Sequence, residues 1–154
     1  MTKKTLPNAS TIQYGYDGVG NLTSHQDVGG TVTYAYNAVN LVQTLTEPNA
    51  SQTTFQYDAN YRRTSTAYPN GVTMTQAYDG SGRLTSIVGK NDGGTTLTSF
   101  SYTYTKPGVG TDTGLRQTMT DASGNVTTYT YDVLNRLKEA QTKNSGGTVI
   151  DDRQ

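Results

Sequence analysis

The sequence predicts an all-β fold, a repeat array of antiparallel β-hairpins, on three observations. An aromatic-x-Tyr motif recurs in phase, with its second aromatic at Tyr16, Tyr36, Tyr57, Tyr78, Tyr104 and Tyr131, at spacings of 20, 21, 21, 26 and 27 residues. Around each motif, aromatic or apolar residues alternate with Thr or another small polar residue, the two-residue period of a half-buried strand. Between these stretches lie clusters of Asp, Asn and Gly, the residues of tight turns. A fixed period near this length marks an array whose single unit buries too little apolar surface alone and stacks on its neighbours.

Composition agrees with an array. The chain has 154 residues, only 32% of them hydrophobic, with no Trp and 12 Tyr; its mean hydropathy is −0.66. So few large aliphatics make a thin packing surface, while Tyr and Thr are strong strand formers, so regular β structure is expected and not disorder. The formal net charge is +0 and the 12 Lys and Arg are scattered, which leaves no basic stripe to track a phosphate backbone and argues against a nucleic-acid partner. There is no Cys, hence no disulfide and no thiolate metal site. Met1-Thr2-Lys3-Lys4-Thr5-Leu6-Pro7 has two lysines with no apolar run behind them, unlike a signal peptide or membrane anchor.

Taken in order, residues 1–13 read as a polar lead-in, broken at Pro7-Asn8, with a strand beginning near Thr11-Ile12. Residues 14–154 read as six hairpin repeats. In Thr31-Val32-Thr33-Tyr34-Ala35-Tyr36 the alternation puts Val32, Tyr34 and Tyr36 on one face. The stripe begins at Tyr14 and Tyr16 and returns as Phe55/Tyr57, Gln76/Tyr78, Tyr102/Tyr104 and Tyr129/Tyr131. Two kinds of turn are expected to join the strands. One follows the Tyr-Asp pairs, with Asp17, Asp58, Asp79 or Asp132 bonding backbone N–H groups two residues on, and Gly20, Asn40, Gly82 or Asn135 in the position that needs a left-handed backbone. Tyr61 occupies that position in the third copy, which implies either a different turn or a strained one. The other kind lies halfway through each unit, as at Asp27-Val28-Gly29-Gly30, Pro48-Asn49, Pro69-Asn70-Gly71 and Asn144-Ser145-Gly146-Gly147. The two long spacings are assigned to a longer hairpin at 90–98 and a loop at 106–111, since insertions in an array map to its rim. Eight residues separate Gly94 from Tyr102. The same step from Gly147 passes Gln154, so a seventh motif just beyond the chain, and a longer parent array, are expected.

The motifs Tyr14-x-Tyr16-Asp17-x-x-Gly20-Asn21-Leu22, Tyr78-Asp79-Gly80-Ser81-Gly82-Arg83-Leu84 and Tyr129-x-Tyr131-Asp132-x-x-Asn135-Arg136-Leu137 resemble the YD repeats of the Rhs/YD family. That family includes bacterial Rhs polymorphic toxins, shell-forming components of insecticidal toxin complexes and the animal teneurins. The resemblance covers residues 14–150 and implies a ribbon of hairpins that spirals into a hollow shell, in the toxins enclosing a C-terminal toxic domain. It also implies a secreted or cell-surface location in a bacterium. Several features depart from the pattern: no Asp-Pro-x-Gly cleavage motif occurs, Asn37 and Thr105 replace the repeat Asp, and Gln76-Ala77 lacks the first aromatic. Autoproteolysis and toxin activity are therefore not carried over.

No catalytic, cofactor or metal site is expected. His25, the one histidine, lacks a positioned partner in the pattern and reads as a lone exposed side chain. The four Asp recur in phase, which suits turn capping, whereas an acid–base pair need occur once. Asp121-Ala122-Ser123-Gly124-Asn125 and Asn91-Asp92-Gly93 are oxygen-rich but match neither calcium-loop pattern. The tyrosine stripe reads as the packing surface of the array, its partners neighbouring repeats of the same or an identical chain and an enclosed toxin domain. The alternative is an adhesive repeat that uses exposed Tyr and Thr to bind glycans, and a further alternative is a fibre subunit that self-assembles through uncapped repeat edges.

Overall fold

A computed structural model describes residues 2–7, 10–105 and 110–153. The described residues form strands joined by tight turns, fourteen in all: β1 (Thr2–Thr5), β2 (Thr11–Tyr16), β3 (Leu22–Asp27), β4 (Gly30–Tyr36), β5 (Val42–Thr46), β6 (Gln52–Tyr57), β7 (Arg63–Ala67), β8 (Thr73–Tyr78), β9 (Leu84–Lys90), β10 (Thr96–Thr103), β11 (Thr118–Asp121), β12 (Val126–Tyr131), β13 (Leu137–Lys143) and β14 (Val149–Arg153). No helix long and apolar enough to cross a membrane occurs among them. The chain divides into two compact units, residues 1–73 and 74–154. Within each, every strand lies beside the one before it in sequence, the meander that short turns dictate.

In the first unit the register sorts side chains onto two unlike faces. Tyr14 lies opposite His25 and His25 opposite Val32, while Tyr34 lies opposite Leu45 and Leu45 opposite Thr53. This is the aromatic face that the alternation predicts. On the other face one row runs across five strands as Gly15, Ser24, Thr33, Thr46 and Gln52. The next row reads Ala35, Thr44, Thr54 and Ala67. In the second unit the corresponding rows are Ser86, Ser101 and Thr120, and Thr103, Thr118 and Thr128, before Glu139, Lys143 and Asp152 bring charge onto the last strands.

The structure departs from the sequence reading in two places, the lead-in and the kinds of turn, and completes it in two others, at Tyr61 and in the fourth hairpin. The polar lead-in carries a strand: Thr2–Thr5 pairs with β2, Lys4 opposite Ile12. Its Thr residues suit an extended backbone, β2 supplies the main-chain hydrogen bonds, and Lys3 and Lys4 are exposed, as edge lysines are. Asn8 of the expected break, and residues 106–109 of the expected loop, lie outside the described residues. The two kinds of turn are largely one. Ten turns among the described residues, starting at 17, 37, 47, 58, 68, 79, 91, 121, 132 and 144, share one hydrogen-bond pattern: the first residue's N–H reaches the fifth carbonyl and the fourth N–H reaches the first carbonyl. In all ten the fourth residue has positive φ. This is the three-residue hairpin loop, a type I turn closed by a left-handed residue; Asp27-Val28-Gly29-Gly30 differs in being a two-residue loop. Tyr61 keeps the common turn and carries the strain, with φ 63°, as Ala50 does at 65°. Finally, the longer fourth hairpin lengthens its strands, not its turn, β9 and β10 reaching 7 and 8 residues with a bulge between Thr96 and Thr98.

No apolar residue among those described is buried; Thr66, Gln117 and Thr127 are the buried polar ones. The tyrosine stripe is therefore a half-buried surface packed sideways against neighbouring strands, and not the interior of a two-layer core. Each half-covered ring contributes about 1 kcal/mol of apolar burial, roughly half the value for a fully buried large side chain. An array of this kind draws its stability from nearest-neighbour contacts summed along it.

Candidate functional site

The recurring residues form two devices. The first is the turn. Asp17 Oδ1 accepts the N–H groups of Val19 and Asn21 at 3.0 and 2.8 Å, and its Oδ2 accepts Asn21 Nδ2 at 2.9 Å. Asp79 repeats this with the N–H groups of Ser81 and Arg83, both at 2.9 Å, and with Arg83 Nε at 2.7 Å. Asp58 and Asp132 do the same with Arg62 and Arg136. Asp121 follows suit with Asn125, although no Tyr precedes it. One carboxylate thus fastens both sides of a loop, and the fifth residue, Asn or Arg, is selected as its side-chain partner. Where the first residue is Glu47 or Tyr68, Pro follows it, and Asn49 or Asn70 instead receives the N–H of Ser51 or Val72.

These bonds hold the carboxylates below their ordinary range. The Asn21 amide does so first at Asp17, and the Asn125 amide at Asp121. The Arg83 backbone N–H leads at Asp79 and that of Arg136 at Asp132. At Asp58 desolvation pushes upward, and the bonds from Arg62 and Asn60 outweigh it.

The second device is the tyrosine ladder. Tyr36 Oη donates to the Leu22 carbonyl at 2.8 Å and Tyr57 Oη to that of Val42 at 2.8 Å. In the second unit Tyr104 Oη donates to Leu84 at 2.8 Å and Tyr131 Oη to Arg116 at 2.7 Å. Leu22, Val42 and Leu84 stand at the start of the returning strand in the preceding repeat, and Arg116 lies just ahead of β11, so the motif's second tyrosine is a staple between repeats. Burial raises the Tyr36 phenol above its usual value, helped by the charge of Asp17; burial does the same at Tyr131. The first aromatic of the motif serves as a platform for cations: Arg63 lies 4.6 Å from the Phe55 ring centroid and Arg116 4.4 Å from that of Tyr102. Tyr16, the first of the second tyrosines, is half exposed.

Arg83 joins the two devices. Besides Asp79, it grips Asp112 in a bidentate pair at 2.6 and 2.8 Å and lies 4.4 Å over the Tyr104 ring. The Arg83 bonds take Asp112 down to about 2, and the Asp112 bonds lead in raising the guanidinium. The segment after residue 109 is thereby clasped to the turn at 79–83. Gln117, buried there, donates from Nε2 to Thr113 Oγ1 at 2.8 Å, and its backbone N–H reaches the Thr103 carbonyl at 2.8 Å. Asp112 and Gln117 escape a reading of the sequence, because neither acts in phase with the repeat; Arg83, in phase as the fifth residue of its turn, escapes it only in its grip on Asp112.

The structure does not gather the predicted residues into one catalytic cleft. Asp17, Asp58, Asp79 and Asp132 each lie in their own turn, occupied by that turn's donors. His25 is half buried, not exposed, because it stacks 5.4 Å from Tyr14 in a tilted cross-strand pair. No group of three or more metal-binding His, Asp or Glu side chains occurs among the described residues. Gln76, where the first aromatic is missing, leaves its buried Oε1 without a hydrogen-bond donor among the described residues. Shallow grooves flank the stripe, one lined by Leu41, Phe55, Tyr57 and Tyr61, another by Met119, Tyr129, Leu137 and Ala140.

Known proteins share both the motif and the geometry. A family model for the RHS Repeat matches residues 1–32, 16–51, 36–73 and 111–149, well over half of the chain. Among solved structures, the fold is similar to a chain of the TcdB2-TccC3-Cdc42 crystal structure, with a TM-score of 0.71 and 20% identity over 86% of this chain. It is also similar to a chain of the Photorhabdus luminescens Tc holotoxin pore carrying a TccC3 variant, with a TM-score of 0.61 and 14% identity over 96% of this chain. At these identities the likeness is one of fold. The chain spans only 7% and 10% of the length of those two chains. Comparison with curated proteins finds no match.

Proposed function

The chain belongs to the RHS repeat family, and from that membership we propose that it is a structural segment of a β-hairpin wall, one that in a longer parent encloses or displays a toxin domain. The observation that carries this reading is where the recurring side chains spend their bonds. The motif tyrosines bond to the preceding repeat and the motif aspartates to their own turns, so the residues that define the repeat build the array. A surface held by nearest-neighbour staples extends by adding units, which is what a wall requires. The similarity in fold to chains of Tc toxin assemblies supports the same reading. Its partners are then the repeats on either side and the enclosed domain, and its location is outside the cell or on its surface.

A graft tests the proposal. Residues 14–153 would replace an equal number of hairpins in the wall of a TcdB2-TccC3 shell, and the product would be imaged by electron microscopy and treated with protease. A closed particle whose enclosed domain resists digestion is the expected result. Open or ragged particles with rapid loss of that domain would refute the wall role.

A further inference from the structure

The third repeat departs from the others at two positions, and both departures bear on one groove. Tyr61 holds a left-handed backbone at φ 63°, in the position that the other turns of its kind among the described residues fill with Gly, Asn or Ala. A bulky side chain is strained there, whereas Gly and Asn are not. Arg63 stands where other repeats have Leu22, Val42, Leu84 and Leu137, and it lays its guanidinium 4.6 Å from the Phe55 ring centroid. Residues that build the array recur. A strained Tyr and a cation, set where those repeats have neither, serve something the array does not need.

The groove lies between two neighbouring turns of the first unit. Val39, Leu41, Phe55, Tyr57 and Tyr61 line it, around a volume of about 380 Å³, at the small end of the roughly 300–1,000 Å³ that ligand sites occupy. Val39 and Tyr61, one from each turn, are its exposed apolar members, at 48% and 60%. Asp58, an acid in the lining, is committed to its own turn, gripped by Arg62 Nε at 2.7 Å and by the N–H groups of Asn60 and Arg62. The exposed Arg63 brings a positive charge to the Phe55 wall, and its planar fork of donors fits a carboxylate. A ligand that uses both features is part aromatic and part anionic. A long polyanion would need a row of cations along the stripe, where Tyr34, Leu45 and Thr53 stand instead.

We propose that this groove binds an aromatic carboxylate, either a free aromatic acid or an aromatic residue at a peptide's C-terminus. The ligand's ring lies among Phe55, Tyr57 and Tyr61, where ring–ring contacts add to apolar burial, and its carboxylate pairs with Arg63. The left-handed backbone at Tyr61 holds an aromatic lip at the groove that Gly or Asn would not supply. This inference stands apart from the wall reading: the graft tests assembly, and the experiment below tests binding by the free chain.

The chain has no Trp, so the indole fluorescence of an added probe reports binding alone. The full chain is titrated into N-acetyltryptophan, into its uncharged amide, and into the tripeptide Gly-Gly-Trp. A dissociation constant of about 0.1–1 mM is expected for one or both acids, the tighter of the two identifying the source, with the amide several-fold weaker. Two variants put back residues found in other repeats. Tyr61→Asn, which matches Asn40 and Asn135, is expected to weaken binding at least tenfold while the urea midpoint holds or rises, because the strain is relieved. Arg63→Leu is expected to bind N-acetyltryptophan and its amide equally. Three results would each overturn the proposal: no saturable binding of either acid, an amide bound as tightly as the acid by the parent chain, or Tyr61→Asn binding as the parent does.

Discussion

Removing one staple isolates the energy that joins two repeats. Tyr57→Phe deletes a hydroxyl that donates to the Val42 carbonyl at 2.8 Å and leaves the half-buried ring in place. A net intramolecular hydrogen bond contributes about 0.5–1.5 kcal/mol, and water reaches this edge, so the expected loss is about 1 kcal/mol. With a urea m-value of about 1–3 kcal/mol/M, the midpoint falls by roughly 0.3–1 M at unchanged slope. Tyr36→Phe removes the equivalent bond to Leu22, and because the two sites share no partner, the double variant loses about 2 kcal/mol. Tyr68→Phe is the control: Tyr68 is 44% exposed and its hydroxyl makes no hydrogen bond among the described residues. The assay is urea unfolding followed by far-ultraviolet circular dichroism. Equal midpoints for Tyr57→Phe and Tyr68→Phe would show that the ladder stabilises through its rings alone, and the staple argument would fall.

Three further outcomes are expected. At Gly20, with φ 93°, an added Cβ would have nothing within 4 Å of it, so Gly20→Ala isolates the backbone contribution and costs about 1 kcal/mol of left-handed strain, read as a lower urea midpoint; no change would mean that the turn shifts type freely. The depressed carboxylates at Asp17, Asp58, Asp79, Asp112, Asp121 and Asp132 contribute stability that is fully present above the unfolded value near 3.8. That stability is lost as pH falls through the lower folded values, Asp112 last at about 2, so urea midpoints should be level from about pH 7 to 5 and decline below about pH 4. A profile that stays flat down to about pH 3 would contradict the turn bonds. Arg83→Lys keeps the charge but not the two-pronged grip on Asp112, and amide exchange at residues 110–117 should quicken more than tenfold; unchanged protection would show that Gln117 alone holds the segment.

The fold was legible because its signals are periodic. The spacing of Tyr16, Tyr36 and Tyr57 and the alternation around Tyr34 report strand length and facing directly, and neither depends on what lies far off in sequence. The left-handed turn position was legible at Gly20 and Gly82 for the same reason. At Tyr61 and Ala50 it was not, because there the bonds at the first and third turn residues, Asp58 and Asn49, impose a conformation the fourth residue does not favour. The lead-in strand was hidden because Thr2–Thr5 has no apolar alternation and is a strand only through its pairing with β2. Among site residues, those that recur declared themselves, while Arg83 and Asp112, 29 residues apart, meet only in three dimensions. The polar face was legible from the same alternation, with Thr31, Thr33 and Ala35 set against Val32, Tyr34 and Tyr36, and the register added only which of its residues share a row, as Thr33, Thr46 and Gln52 do.

The staples have a direction. Each reaches back toward the N-terminus, over 14, 15, 20 and 15 residues, to a carbonyl already in the chain. A repeat leaving the ribosome therefore finds its docking surface made, and needs nothing still to be synthesised in order to lock onto it. Its loops are short to close and its pairings local, which keeps contact order low and folding fast for a β protein. Growth from the first hairpin onward is then vectorial, so the exposed unpaired edge during synthesis is never more than the newest strand.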